Sequence, residues 1–192
     1  MTQRGSTNIV TPVKDRPKSA FAIWITGLPS SGKSTLAACL KRRLAALGID
    51  VAVLESDSLR RIFTPRPVYD EPERDCFYQA ITFVGKLLVE HGVPVIFDAT
   101  ANRRNYRVRA RHEIARFLEI YVECPLAVCM GRDSKGIYKK GLEGGTSTVP
   151  GLQAAYEPPE QPDVIVHGDR EAPEVAADRV LAKLIERKYL EE

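Results

Sequence analysis

Gly27-Leu28-Pro29-Ser30-Ser31-Gly32-Lys33-Ser34 fits the pattern G-x-x-x-x-G-K-[ST], and the residue types in that order suit one task. Gly27 and Gly32 allow backbone conformations in which successive N–H groups turn inward around an anion. A helix starting at Lys33 would offer its positive end to the same anion. Lys33 can reach the β- and γ-phosphates of a nucleotide, Ser34 can bind magnesium, and Thr35 is a further phosphate contact. The expected ligands are therefore ATP and Mg2+, held by residues 27 to 35.

A second set of groups stands at the ends of two apolar runs. VAVLESD supplies Glu55 and Asp57, and VPVIFD supplies Asp98. At the carboxyl ends of parallel strands these acids would lie beside the phosphate loop. Asp57 could take up or orient the proton of an acceptor hydroxyl, while Glu55 and Asp98 could hold magnesium directly or through water. Strand-end acids also cap helices, and Asp57-Ser58-Leu59-Arg60 reads as the opening of a short helix.

The elements that would position these groups follow from periodicity. Residues 21–26, 51–55, 93–98, 118–124 and 164–168 are short, rich in Val and Ile, and bounded by turn signals. Apolar residues at both parities predict strands buried on both faces. Helical spacing runs over 33–47, 73–91, 103–117 and 173–188. Strands alternating with helices predict an α/β fold: a five-stranded parallel sheet flanked by helices in three layers. Residues 133–162 break the rhythm with glycine, proline, Lys135, Lys139 and Lys140, and read as a lid-like loop. Residues 1–19 read as a polar, loosely ordered arm, leaving 20–192 as one domain with a lid at about 131–162.

Composition narrows the setting. At 192 residues the chain can bury one sizeable core, and a net charge of +3 suits an anionic small molecule without arguing for nucleic acid. No run approaches the length of a membrane span, and the N-terminal stretch carries no secretory h-region. Cys39, Cys76, Cys124 and Cys129 lack paired spacing and read as reduced thiols. A cytoplasmic protein is the expectation. His91, His112 and His167 are isolated, and Trp24 reads as core. In the basic stretch 102–111, Arg103, Arg107 and Arg111 share one helix face; the first turn would grip an anionic substrate through Arg103, Arg104 or Arg107, while Arg109, Arg111 and Arg116 read as a solvated face. A basic helix beside a phosphate loop would also suit a kinase acting on nucleic-acid ends, but no aromatic-interleaved basic stripe supports that.

ITGLPSSGKSTLA, EIYVECPLAVCMGRDSKGIYKK and YEPPEQPDVIV together resemble the adenylylsulfate (APS) kinases, which phosphorylate the 3′-hydroxyl of adenosine 5′-phosphosulfate with MgATP. The resemblance implies a P-loop kinase fold, a helical lid over ATP and a homodimer. It also implies that Lys33, Asp57 and Arg132 are catalytic, with Arg132 and Lys135 near the transferred phosphoryl and Lys139 with them in the lid. Arg60 keeps the arginine that follows the second strand, and Tyr69 and Arg74 fall where an adenine-stacking ring and a phosphosulfate-binding cation are expected. Three segments depart from the family pattern. Asp75-Cys76-Phe77-Tyr78-Gln79 replaces an Asn and further Arg residues, Phe97-Asp98-Ala99-Thr100 replaces Phe-Ile-Ser-Pro, and Val149-Pro150-Gly151 replaces Phe-Thr-Gly. These departures keep another small hydroxylated metabolite or nucleotide as an alternative acceptor, and Glu55, in place of the family's Asp, leaves a catalytically silent nucleotide-binding module as a further alternative.

Overall fold

The computed structural model describes residues 20–144 and 148–190. Five parallel strands form one sheet: β1 (Ala22–Thr26), β2 (Ala52–Glu55), β3 (Val95–Asp98), β4 (Phe117–Glu123) and β5 (Val164–His167), in the order β2-β3-β1-β4-β5. Alternate side chains of each strand feed opposite layers. Ile23, Ile25, Ile96, Leu118 and Ile120 pack against α1 (Lys33–Ala46) and α7 (Pro173–Glu186). Trp24, Phe97 and Phe117 face α3 (Glu71–Glu90) and α4 (Arg104–Glu113). The result is the three-layer α/β arrangement read from the sequence.

Packing on the second face is tight enough to select a glycine. Trp24 and Phe97 stack with ring centroids 4.5 Å apart, and a Cβ on Gly85 of α3 would stand 2.1 Å from Phe97 Cζ. At the opposite end, α2 (Ser56–Phe63) leaves β2 directly, so Glu55 and Asp57 flank a strand-to-helix junction. Register sets the acids side by side: Glu55 of β2 pairs with Asp98 of β3, which in turn pairs with Ile25 just before the phosphate loop.

Two expectations change. The helix read as 103–117 ends at Glu113, because Ile114 turns extended (φ −119°, ψ 107°) to drop its side chain into the core before β4. Residues 133–162 are not wholly loop: α6 (Ile137–Leu142) lies within them, preceded by α5 (Leu126–Arg132). Both are too short to show an amphipathic period. Tyr138 of α6 is buried and donates to Pro29 O at 3.0 Å, tying that helix to the phosphate loop. The arm read over 1–19 lies outside the described residues.

Candidate active site

A cleft of about 920 Å³ opens at the carboxyl edge of the sheet, with the phosphate loop as its floor. Gly27 (φ +151°) passes so close to β4 that a Cβ would meet Val122 O at 2.5 Å. Gly32 (φ +111°) turns the chain into α1, whose first turn has no side-chain cap. The Ser31 hydroxyl is buried with no hydrogen-bond partner. Uncapped amides and an orphaned hydroxyl around one concavity fit an anion. Lys33 is buried and donates to Leu28 O at 2.8 Å across its own loop. Burial pulls its pKa down, and the Asp98 and Asp57 carboxylates pull the other way. Pro29, Ser30, Gly32, Ser34 and Thr35 also border the cleft, whereas Leu28 packs with Tyr138, Val149 and Leu152 behind it.

Asp98 is buried, and burial raises its carboxyl above the usual range; the Ser34 hydroxyl bonded to it and the Lys33 ammonium oppose that rise. Glu55 stands beside it across the sheet. Among the described residues no three His, Cys, Asp or Glu side chains converge into a ready metal cage. Mg2+ rarely uses one: it takes one or two carboxylates and completes its shell with water and phosphate oxygens. The hard oxygens of Ser34, Asp98 and Glu55 fit that habit.

The opposite wall carries aromatic and cationic groups. Arg60 pairs with Glu73 at 2.7 Å and lies over the Phe77 ring at 3.8 Å from its centroid. Tyr69 adopts φ +58°, a rare backbone for a bulky residue. Its N–H donates to Glu73 Oε2, and its carbonyl accepts from Arg74 Nε at 2.9 Å. Arg74 also reaches Asn102 Oδ1 (3.1 Å) and Thr148 O (2.8 Å), joining three separate segments. Across the cleft, Lys135 Nζ lies 2.6 Å from Asp57 Oδ2 and 3.5 Å from Glu55 Oε1. Arg132 donates to Gly168 O at 2.8 Å, just past the end of β5.

The model of the adenylylsulphate kinase family matches residues 19–167. The chain belongs to this family. A probable adenylyl-sulfate kinase of Pyrococcus abyssi is 36% identical over 170 residues, covering 88% of this chain and 98% of that one. An adenylyl-sulfate kinase of Microcystis aeruginosa is 37% identical over 168 residues, covering 88% and 93%. The Mycobacterium tuberculosis APS kinase CysC, solved with AMPPNP and APS, superposes with a TM-score of 0.83 at 29% identity, covering 88% of this chain and 99% of that one. Among the described residues no helix is long and apolar enough to cross a membrane.

Within the family frame, two residues singled out beyond the phosphate loop, Arg103 and Lys139, stand apart from the cleft lining. Arg103 is an exposed ion-pair partner of Glu71, and Lys139 points along α6 toward Glu143, at 4.0 Å. Lys140, the next residue, borders the cleft instead. Helix phase makes that choice, and a six-residue helix has too few positions to reveal its phase in sequence. Sequence reading also passed over Tyr78, Asn102 and Glu119. Asn102 holds Ala155 O, and Glu119 accepts from the fully buried Arg107 at 2.6 Å, while Arg107 also bonds Glu157 O. This buried scaffold docks the Tyr156-Glu157-Pro158 stretch against α4. Its one sequence signal was a Glu inside an otherwise apolar strand.

Proposed function

We propose that the protein transfers the γ-phosphoryl group of ATP to the 3′-hydroxyl of adenosine 5′-phosphosulfate. The observation that carries this reading is the meeting, in one cleft, of the phosphate loop with the Arg60–Tyr69–Arg74 wall in a chain of this family. The bond from the γ-phosphorus to the β,γ-bridging oxygen breaks, a bond to the 3′-oxygen forms, and ADP leaves. Lys33 and the loop amides hold the β- and γ-phosphates. Magnesium, held by Ser34, Asp98 and Glu55, would neutralise phosphate charge. Asp57 orients the hydroxyl and receives its proton. Lys135 exchanges its carboxylate partners for the transferring phosphoryl, with Arg132 and Lys140 adding positive charge. Tyr69 offers a ring face to the acceptor base, and Arg74 frames the anionic end.

Residues 131–162 serve as a lid that excludes competing water. The same reading includes a cytoplasmic homodimer with 20–192 as its kinase domain. Sedimentation would test the dimer. A second reading, another hydroxylated acceptor, is favoured by Val149, which is buried against Tyr138 where the family pattern carries a ring. The deciding experiment measures ADP release from MgATP with and without micromolar APS. APS-dependent release with 3′-phospho-APS as product supports the first reading; ATP binding without APS turnover supports the second.

A further inference from the structure

Tyr78 stands in the middle of α3, only 4% exposed, and yet borders the cleft. Its ring is locked: it stacks on Tyr106 with centroids 4.5 Å apart and meets Phe77 edge-on at 5.3 Å. Its oxygen accepts a hydrogen bond from the Ala101 amide at 3.0 Å. That amide cannot act as an acceptor, and among the described residues none accepts the phenolic hydrogen. A buried hydroxyl whose lone pair is engaged and whose proton is unused is costly unless something in the cavity takes that proton.

The surroundings say what kind of group would take it. Arg60 and Arg74, both buried and both bordering the same cleft, lie near enough to stabilise negative charge on the Tyr78 oxygen. Asp57 and Asp98 belong to the phosphate-loop side, where Lys33 and Lys135 face them. Tyr78 therefore sits on the wall where a negative group of the acceptor would be matched by positive charge. Arg74 already directs its Nε, Nη1 and Nη2 to Tyr69, Asn102 and Thr148, and Arg60 is paired with Glu73. The hydroxyl of Tyr78 is a donor on that wall with no such commitment.

We infer that the Tyr78 hydroxyl donates a hydrogen bond to an anionic oxygen of the acceptor's phosphosulfate group and so determines acceptor specificity. The inference rests on the function proposed above and adds a residue to its acceptor site. The hydroxyl keeps its proton throughout and takes no part in the bond changes. Such a bond discriminates strongly, because an acceptor lacking the oxygen leaves a buried donor unpaired.

Calorimetric titration of MgADP-loaded wild type and Tyr78→Phe with APS, AMP and adenosine tests this. Tyr78→Phe keeps the ring and removes the proton. APS binding should weaken by about 10–100-fold, with adenosine binding unchanged within twofold. A loss confined to APS would place the contact on the sulfonyl oxygens; a loss shared with AMP would place it on the phosphoryl oxygens. Both support the inference. In turnover, KM for APS should rise by the same factor while KM for ATP holds. An equal loss for adenosine, or no loss for APS, would overturn the inference while leaving APS kinase activity intact. Failure of wild type to bind APS would overturn the proposed function and this inference with it. Should Tyr78→Phe not fold, 3-fluorotyrosine placed at position 78 provides a second reading by 19F resonance. Its line should shift with APS and not with adenosine; identical responses to both would overturn the contact.

Discussion

Lys135 Nζ lies 2.6 Å from Asp57 Oδ2, a contact between residues 78 positions apart that joins the segment after α5 to the first turn of α2. Both side chains are about half exposed (51% and 52%), so the pair adds less than about 1 kcal/mol to folding. Its significance is placement. The ammonium holds, between Glu55 and Asp57, a position that the transferring phosphoryl would share. Lys135→Met should lower kcat by about 10–100-fold and shift the unfolding midpoint by no more than a few degrees. Steady-state kinetics beside a thermal melt checks both; a large loss of stability with intact kcat would refute the placement.

Lys33 is the buried cation of the phosphate loop. Lys33→Ala should reduce kcat by orders of magnitude, because no other described ammonium lies inside the loop. Single-turnover transfer from labelled ATP is the measurement, and an active variant would remove Lys33 from the mechanism.

Asp57 and Asp98 should separate in their effects. Asp57→Asn is expected to cut turnover far more than ATP affinity, since the proposed role of Asp57 is to take the acceptor's proton rather than to hold the ATP phosphates. Equal loss of both would point to structural damage instead.

The raised pKa of Asp98 has a directional consequence. Its burial keeps the proton on to a higher pH than an ordinary carboxylate, so activity should fall as pH drops through a value above the usual carboxylate range. Magnesium and the proton compete for the same oxygens, so raising Mg2+ should move this acid limb to lower pH. Rate–pH profiles at two Mg2+ concentrations test it. A limb indifferent to Mg2+ would exclude Asp98 as a metal ligand.

Gly85 offers a test of packing alone. Its missing Cβ is where Phe97 lies, and Phe97 is pinned by Trp24. Gly85→Ala should destabilise the fold by about 1–3 kcal/mol despite alanine's better helix propensity. Urea unfolding would show the midpoint drop; a stabilised variant would mean the Trp24–Phe97 stack yields easily.

What residues could show by themselves was the chemistry of adjacent positions. The phosphate loop is eight consecutive residues, so its glycines, lysine and serine declare their task without knowledge of the fold. Strand-end acids are nearly as plain: alternation of apolar runs and helical periods implies the parallel sheet, and a parallel sheet puts the ends of its strands on one edge. Register then brought Glu55 and Asp98 together as neighbours. The acceptor side was different. Whether Lys139 or Lys140 faces the cleft depends on the phase of α6, and that phase is held by Tyr138 reaching back to Pro29. Arg74 reads as an anion-binding cation in sequence, but its guanidinium bonds Tyr69, Asn102 and Thr148, partners up to 74 positions away. Tyr78 looks like an ordinary core aromatic until the Ala101 amide is seen to occupy its oxygen. Local pattern records what a residue can do. Only tertiary contact decides which of its hydrogen bonds are already spent, and so which remain for a substrate.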